Sequence, residues 1–217
     1  MSSSSNTPPN ALLLVTPDCP HCSPVVDALA KMAKEGVLGQ LEIINVAWHP
    51  EKAKELGVTS APWTKIGIYE LTGLYSEDEL RNWAQLTESD PGVGKYFIHL
   101  LENREMHKLI NTIKEYPSTL DNLLKLLEDL DVPMDVRIGV GAAIEELQEK
   151  NLLLPAIPKL IELTLSNQPQ IRADACHYLG LTGSAEAIPA VQSLTLDKDN
   201  EVREIAAETM SLLEDNK

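Results

Sequence analysis

The chain has 217 residues, 43% of them hydrophobic and 24% charged, an ordinary globular composition that argues against wholesale disorder and leaves one or two compact cores open. Its 33 acidic residues outweigh 18 basic ones for a formal charge of −15, and such a field repels phosphate backbones and anionic lipid surfaces, so neither nucleic acid nor a membrane is an expected partner. The imbalance lies mostly in the second half, where residues 87–217 carry 12 basic and 23 acidic side chains against 6 and 10 in residues 1–86.

Met1 to Asn10 is a Ser, Asn and Pro leader without a basic start or an apolar run, and no later stretch has the length of a bilayer span, so the expectation is a soluble cytoplasmic protein. Ala11 to Val15 reads as a buried strand that ends at Thr16, Pro17 and Asp18. Cys19 and Cys22 follow, and from Cys22 the residues Val25, Val26, Leu29, Met32 and Ala33 recur at helical spacing up to Gly36. Leu41 to Val46 predicts a second strand, and Pro50 to Leu56 a short helix stopped by Gly57. Lys65 to Tyr75 predicts two strands turning near Thr72 and Gly73, and Ser76 with Glu79 a capping box opening a helix to about Leu86.

Residues 88–94, rich in acid, Pro and Gly, are expected to link a domain at 9–87 to another at 95–217. Helix signals then run through Tyr96–Leu101, Met106–Tyr116, Leu120–Leu130, Val136–Leu147, Leu154–Leu165, Ile171–Gly180, Glu186–Leu196 and Val202–Leu213, a series without strands. Val136 with Arg137, Ile171 with Arg172 and Val202 with Arg203 open three of these helices at spacings of 35 and 31 residues, which selects a repeat array over a bundle. Val136, Val140, Ala143, Ile144 and Leu147 match Val202, Ala206, Thr209, Met210 and Leu213 at the same offsets. The three arginines are expected to pair with neighbouring acids such as Asp135 or Asp199, and the pattern fades before Leu120, so residues 95–117 are read as an irregular capping pair.

Thr16, Pro17, Asp18, Cys19, Pro20, His21, Cys22 and the later Gly57, Val58, Thr59, Ser60, Ala61, Pro62 resemble the active-site and cis-proline segments of the thioredoxin superfamily, in the compact form of glutaredoxin-like redoxins. Leu179 to Gly183, Ala187 to Pro189 and Asp197 to Asn200 resemble the short HEAT-like repeats of many bacterial proteins, including relatives of bilin lyases. The fold class these imply is an α/β thioredoxin-like domain followed by an all-α HEAT-like solenoid. The second likeness carries over no lyase residues.

Three cysteines arranged as a close pair plus a distant Cys176 are not the even set of a secreted scaffold, so the pair points to catalysis or metal. A tetrahedral metal site wants four ligands and no second close pair exists, which favours redox chemistry with no metal and no cofactor. Disulfide exchange needs a thiolate, and a cysteine at a helix start meets unpaired amides and the positive end of the helix dipole. His21 adds a donor or, protonated, a positive charge, and Pro20 stiffens the turn without removing a helical hydrogen bond. Cys19 would attack a protein disulfide and Cys22 would resolve the mixed disulfide. The resemblance implies that Pro62 is cis, faces the pair and leaves the backbone of Ala61 free to bind an extended substrate. Asp18 before the pair and Trp63 after the proline depart from the superfamily pattern.

The Pro and His between the cysteines resemble those of an oxidant of the superfamily, whereas the expected compartment implies a reductant or isomerase. His49 is read as a surface residue and Cys176 as a small buried hydrophobe. The expected function is thiol-disulfide exchange on protein disulfides, with the repeats recruiting a protein partner. The alternative is a non-enzymatic repeat scaffold in which the pair is a redox switch.

Overall fold

The structure is a computed structural model, and it describes residues 7–86, 90–129, 131–149 and 151–215. The chain divides into two compact units, with the division between Gly92 and Val93.

The first unit runs β1 (Asn10–Val15), α1 (Cys22–Lys34), β2 (Gln40–Asn45), α2 (Pro50–Glu55), β3 (Trp63–Ile66), β4 (Tyr69–Thr72) and α3 (Glu77–Gln85). Its sheet has the order β2-β1-β3-β4, with β1 parallel to β2 and antiparallel to β3, and β3 antiparallel to β4. Leu13 and Leu14 point to opposite faces of β1 and both are fully buried, which is why this strand reads as a continuous apolar run. Val25, Ala28, Leu29 and Met32 of α1 and Leu80 and Ala84 of α3 pack on Ala11, Leu13, Ile66 and Leu71 to form the core.

α3 opens on the expected capping box. The Ser76 hydroxyl accepts from the Glu79 backbone N–H, and the Glu79 carboxylate accepts from the Ser76 N–H at 2.7 Å.

The hairpin turn is not near Thr72 and Gly73. Ile66 pairs with Tyr69, so the loop is Gly67 and Ile68, and Gly67 has a φ of +56° that an L side chain rarely adopts. Ile68 is buried, which disguised a tight turn as part of an apolar strand.

Thr64 stands opposite Leu13 on β1 and Leu71 on β4, so its side chain enters the apolar core face. It is 1% exposed, and its hydroxyl has no hydrogen-bond partner. Thr64→Val keeps the branched shape and removes the desolvated hydroxyl, so urea denaturation is expected to show a gain of about 0.5–2 kcal/mol.

The second unit holds α4 (Asp90–Glu102) from Val93 onward, α5 (Met106–Glu115), α6 (Leu120–Glu128), α7 (Met134–Glu149), α8 (Ile157–Leu163), α9 (Pro169–Leu181), α10 (Ile188–Leu194) and α11 (Asn200–Asp215). Short 3₁₀ turns lead into α6, α8 and α10. Pro158 and Pro189, 31 residues apart, occupy the first turns of α8 and α10, where a missing N–H costs nothing.

Of the expected linker, residues 88 and 89 lie outside the described residues, and 90–94 are helical. Composition suggested a loop, but Val93, Tyr96, Phe97 and Leu100 line up as a buried face of α4, and burial overrides the weak helix propensity of Pro and Gly.

The repeat stripe is buried much as its spacing predicts. Val136, Val140, Ala143, Ile144 and Leu147 of α7, Ile171, Ala175 and Leu179 of α9, and Val202, Ala206, Thr209 and Leu213 of α11 are all buried. Met210 is half-buried. A Cβ at Gly180 would stand 2.6 Å from Cγ2 of Thr209, so glycine sets the approach of α9 and α11.

The repeated arginines are inward ties, but their partners are not Asp135 or Asp199. Arg172 binds both carboxylate oxygens of Asp197 at 2.7 Å and donates to the Ser166 carbonyl six residues upstream. Arg203 repeats that local bond to the Asp197 carbonyl at 2.6 Å. Arg137 reaches Asp174 at 3.3 Å. Asp199 is committed elsewhere, since its carboxylate accepts from the N–H groups of Glu201 and Val202 at the start of α11.

Candidate dithiol site

Strand β1 ends at Val15, and the chain turns through Thr16 to His21 before α1 begins at Cys22 with His21 as N-cap. The Cys22 N–H donates to the Cys19 carbonyl at 3.2 Å, so Cys19 lies just outside the helix start. Cys19 and Cys22 form a disulfide with their Cα atoms 5.4 Å apart. Their exposures differ: Cys22 is 5% exposed, whereas Cys19 is half-buried. Pro20, His21 and Asp18 are exposed around it.

Register decides what faces the pair. Leu14 pairs with Trp63, so Pro62 arrives beside the end of β1. The Ala61–Pro62 peptide is cis, and the Ala61 carbonyl oxygen lies 3.7 Å from the Cys19 sulfur. β4 runs parallel to β1, so the segment after Thr72 comes to the same end of the sheet, where the Gly73 N–H donates to the Pro62 carbonyl at 2.8 Å. The turn after β2 also returns there. Val46 donates to the Val15 carbonyl, and Trp48 and His49 both donate to the Asn45 carbonyl.

Trp48 is 80% exposed at this end of the sheet. His49 is exposed too, with Nδ1 3.1 Å from the Glu51 carboxylate. Sequence reasoning placed His49, beside Trp48, within possible reach of the dithiol but read it as a surface residue, and it overlooked the Gly73–Tyr75 segment at this end of the sheet. The available signal was strand direction, because every segment that follows β1, β2 or β4, or precedes β3, must meet at one sheet end.

The family model of the thioredoxin domain matches residues 11–85, from the first residues of β1 to the end of α3. The N-terminal unit is a thioredoxin domain. The family model of HEAT repeats matches residues 157–217, covering α8 to α11, so the thioredoxin domain is followed on the same chain by a helical HEAT-repeat region. No curated protein resembles the chain closely enough to count as a relative. A thioredoxin domain with such a cysteine pair is of the redox type, and HEAT repeats are of the protein-interaction type.

No helix among the described residues is long and apolar enough to cross a membrane, and no group of three or more His, Cys, Asp or Glu side chains among them could hold a metal ion.

Cys176 is far from this chemistry in the sequence and fully buried in α9. Burial pushes its thiol up to about 11, with a hydrogen bond to Thr209 opposing the shift. At pH 8 the reduced native protein is expected to alkylate Cys176 at least about a hundredfold more slowly than Cys19, and unfolding in chaotrope to erase the difference. Peptide-resolved mass spectrometry of the labelled chain checks it.

Proposed function

We propose that the chain is a thiol-disulfide oxidoreductase of protein disulfides, with the HEAT-repeat region recruiting the protein on which the dithiol acts. The observation that carries this reading is a disulfide between a partly exposed Cys19, whose sulfur lies beside the Ala61 carbonyl, and a buried Cys22. In the reduced state Cys19 is the nucleophile. Its thiolate attacks one sulfur of a client disulfide, and the other client sulfur leaves and takes up a proton. Cys22 loses its proton and attacks Cys19, which expels the second client thiol and regenerates the Cys19–Cys22 disulfide.

His21 tunes the sulfurs, Pro20 holds the turn, the Ala61 backbone pairs with an extended client segment, and Pro62 shapes the surface on which it lies. The same steps run backwards, and the partner couple decides the direction. No cofactor enters this scheme. The repeat region, with its strongly acidic balance, suits a basic client or docking protein, and tethering raises the client's effective concentration at the dithiol to the order of mM. The setting that fits is a reducing one such as the cytoplasm, where the pair is recycled.

The test is multiple-turnover reduction of a protein disulfide by the full chain with a thiol donor in excess. Turnover supports the oxidoreductase. Absence of turnover, together with capture of a partner by only one redox form, overturns it in favour of a redox-switched scaffold.

A further inference from the structure

An open groove of about 490 Å³ lies between α1 and the segment that enters α3. It starts beside the dithiol: Pro24 is two residues beyond Cys22, and Leu74 follows Gly73, whose N–H holds the Pro62 carbonyl. Its α1 wall is Pro24, Asp27, Ala28 and Lys31, one helical face at spacings of three and four. The opposite wall is Leu74 to Glu77 with Glu79, and Leu74 is 54% exposed.

The lining carries three carboxylates, Asp27, Glu77 and Glu79, against one ammonium, Lys31, for a formal charge of −2. Lys31 is already bound to Glu77 at 2.9 Å, and the adjacent Arg81 is shared between Glu77 and Glu35. The nearby cations are therefore engaged by acids of their own, and Asp27 stands exposed on the groove wall. A lining that combines Pro24, Ala28 and Leu74 with carboxylates matches one kind of side chain, a long alkyl stem ending in a cation.

We propose that this groove selects the client: it receives a lysine or arginine side chain, stem along Leu74 and head toward Asp27, from the protein segment being exchanged at Cys19. The inference rests on the oxidoreductase reading above. Asp27 lies about 7–8 Å along the helix axis from Cys22 at 1.5 Å per residue, and the Cα of the attacking Cys19 is a further 5.4 Å from that of Cys22. An extended client advances roughly 3.3 Å per residue, so the basic side chain belongs about two to four positions from the client cysteine. The same charge disfavours glutathione, which is anionic at neutral pH, as the direct reductant.

The experiment uses the reduced full chain and three probes: two disulfide-linked peptides of one sequence that differ by Lys or Glu three positions from the cysteine, and a small uncharged alkyl disulfide as reference. Second-order exchange rates are expected to favour the Lys peptide by roughly five- to tenfold at low ionic strength. That ratio is expected to shrink toward one in about 0.5 M salt, and to fall below about twofold in Asp27→Lys. Equal rates for the two peptides while the uncharged disulfide still reacts overturn the groove alone. A preference that survives Asp27→Lys does the same. Failure of all three probes to react overturns the oxidoreductase reading, and the groove proposal with it.

Discussion

Cys22→Ser is expected to convert the reduced chain from a turning-over catalyst into a trap, lowering steady-state reduction of a protein disulfide by at least about a thousandfold. The argument is one of effective concentration. Cys22 sits within disulfide distance of Cys19, with Cα atoms 5.4 Å apart, so its attack on a mixed disulfide is intramolecular. A serine there leaves only free thiol from solution, at millimolar concentration, to release the client. A Cys19–client adduct close to one equivalent should therefore appear by mass spectrometry under non-reducing conditions. Cys19→Ser should give no adduct and no turnover, because the two remaining thiols, Cys22 and Cys176, are both buried. Equal adduct formation by the two variants would remove the assigned order of attack.

The second large effect belongs to the HEAT region. Arg172→Ala removes two bonds to Asp197 and one to the Ser166 carbonyl, and leaves the Asp197 carboxylate without its cation. The two side chains are only 6% and 9% exposed. A fully buried pair broken on one side costs about 3–5 kcal/mol and a surface pair under 1. With Leu196 and Lys198 beside Asp197 both exposed, the pair falls between these cases, and about 2–3 kcal/mol is expected, a fall of roughly 6–15 °C in the melting temperature of that region.

The pH dependence follows the same bond. Arg172 holds the Asp197 carboxyl below its ordinary value, with the Asp199 N–H helping and burial opposing. An acid depressed in the folded state contributes stability that is complete above its unfolded value near 3.8 and is lost as pH falls through the lower folded value. Wild type and Arg172→Ala should therefore differ by a constant amount at neutral pH and converge only below about pH 4. Asp174 works in the opposite sense: burial raises it against the pull of Gln170 and Arg137, so its ionisation costs stability at neutral pH and the cost is relieved as the solution is acidified through its raised value.

Where these effects sit explains how much could be read in advance. The capping box of α3 was legible because Ser76 and Glu79 interact within one turn, and a local interaction is written in local spacing. The buried stripes of α7, α9 and α11 were legible for the same reason, since one helix face must meet an apolar neighbour whichever neighbour that is. The hairpin was misplaced because two glycines, Gly67 and Gly73, both have positive φ and either could close a turn. Pairing of Ile66 with Tyr69 chose between them. The arginine partners were misassigned because proximity in sequence made Asp199 attractive, whereas the stacking of one repeat on the next brought Asp197 to Arg172 across 25 residues and left Asp199 to cap α11.

By itself, then, the order of amino acids determined most of the elements, the repeat and the cysteine pair, because each depends on periodicity or on a short run whose chemistry is complete within a few residues. Tertiary structure alone decided that Trp48, Ala61 and Gly73 share one sheet end with Cys19, that Leu74 and Glu77 face Asp27 across a groove, and that Asp197 belongs to Arg172. Those adjacencies arise from strand direction and from the stacking of helices. They join residues tens of positions apart, a separation that no local pattern encodes.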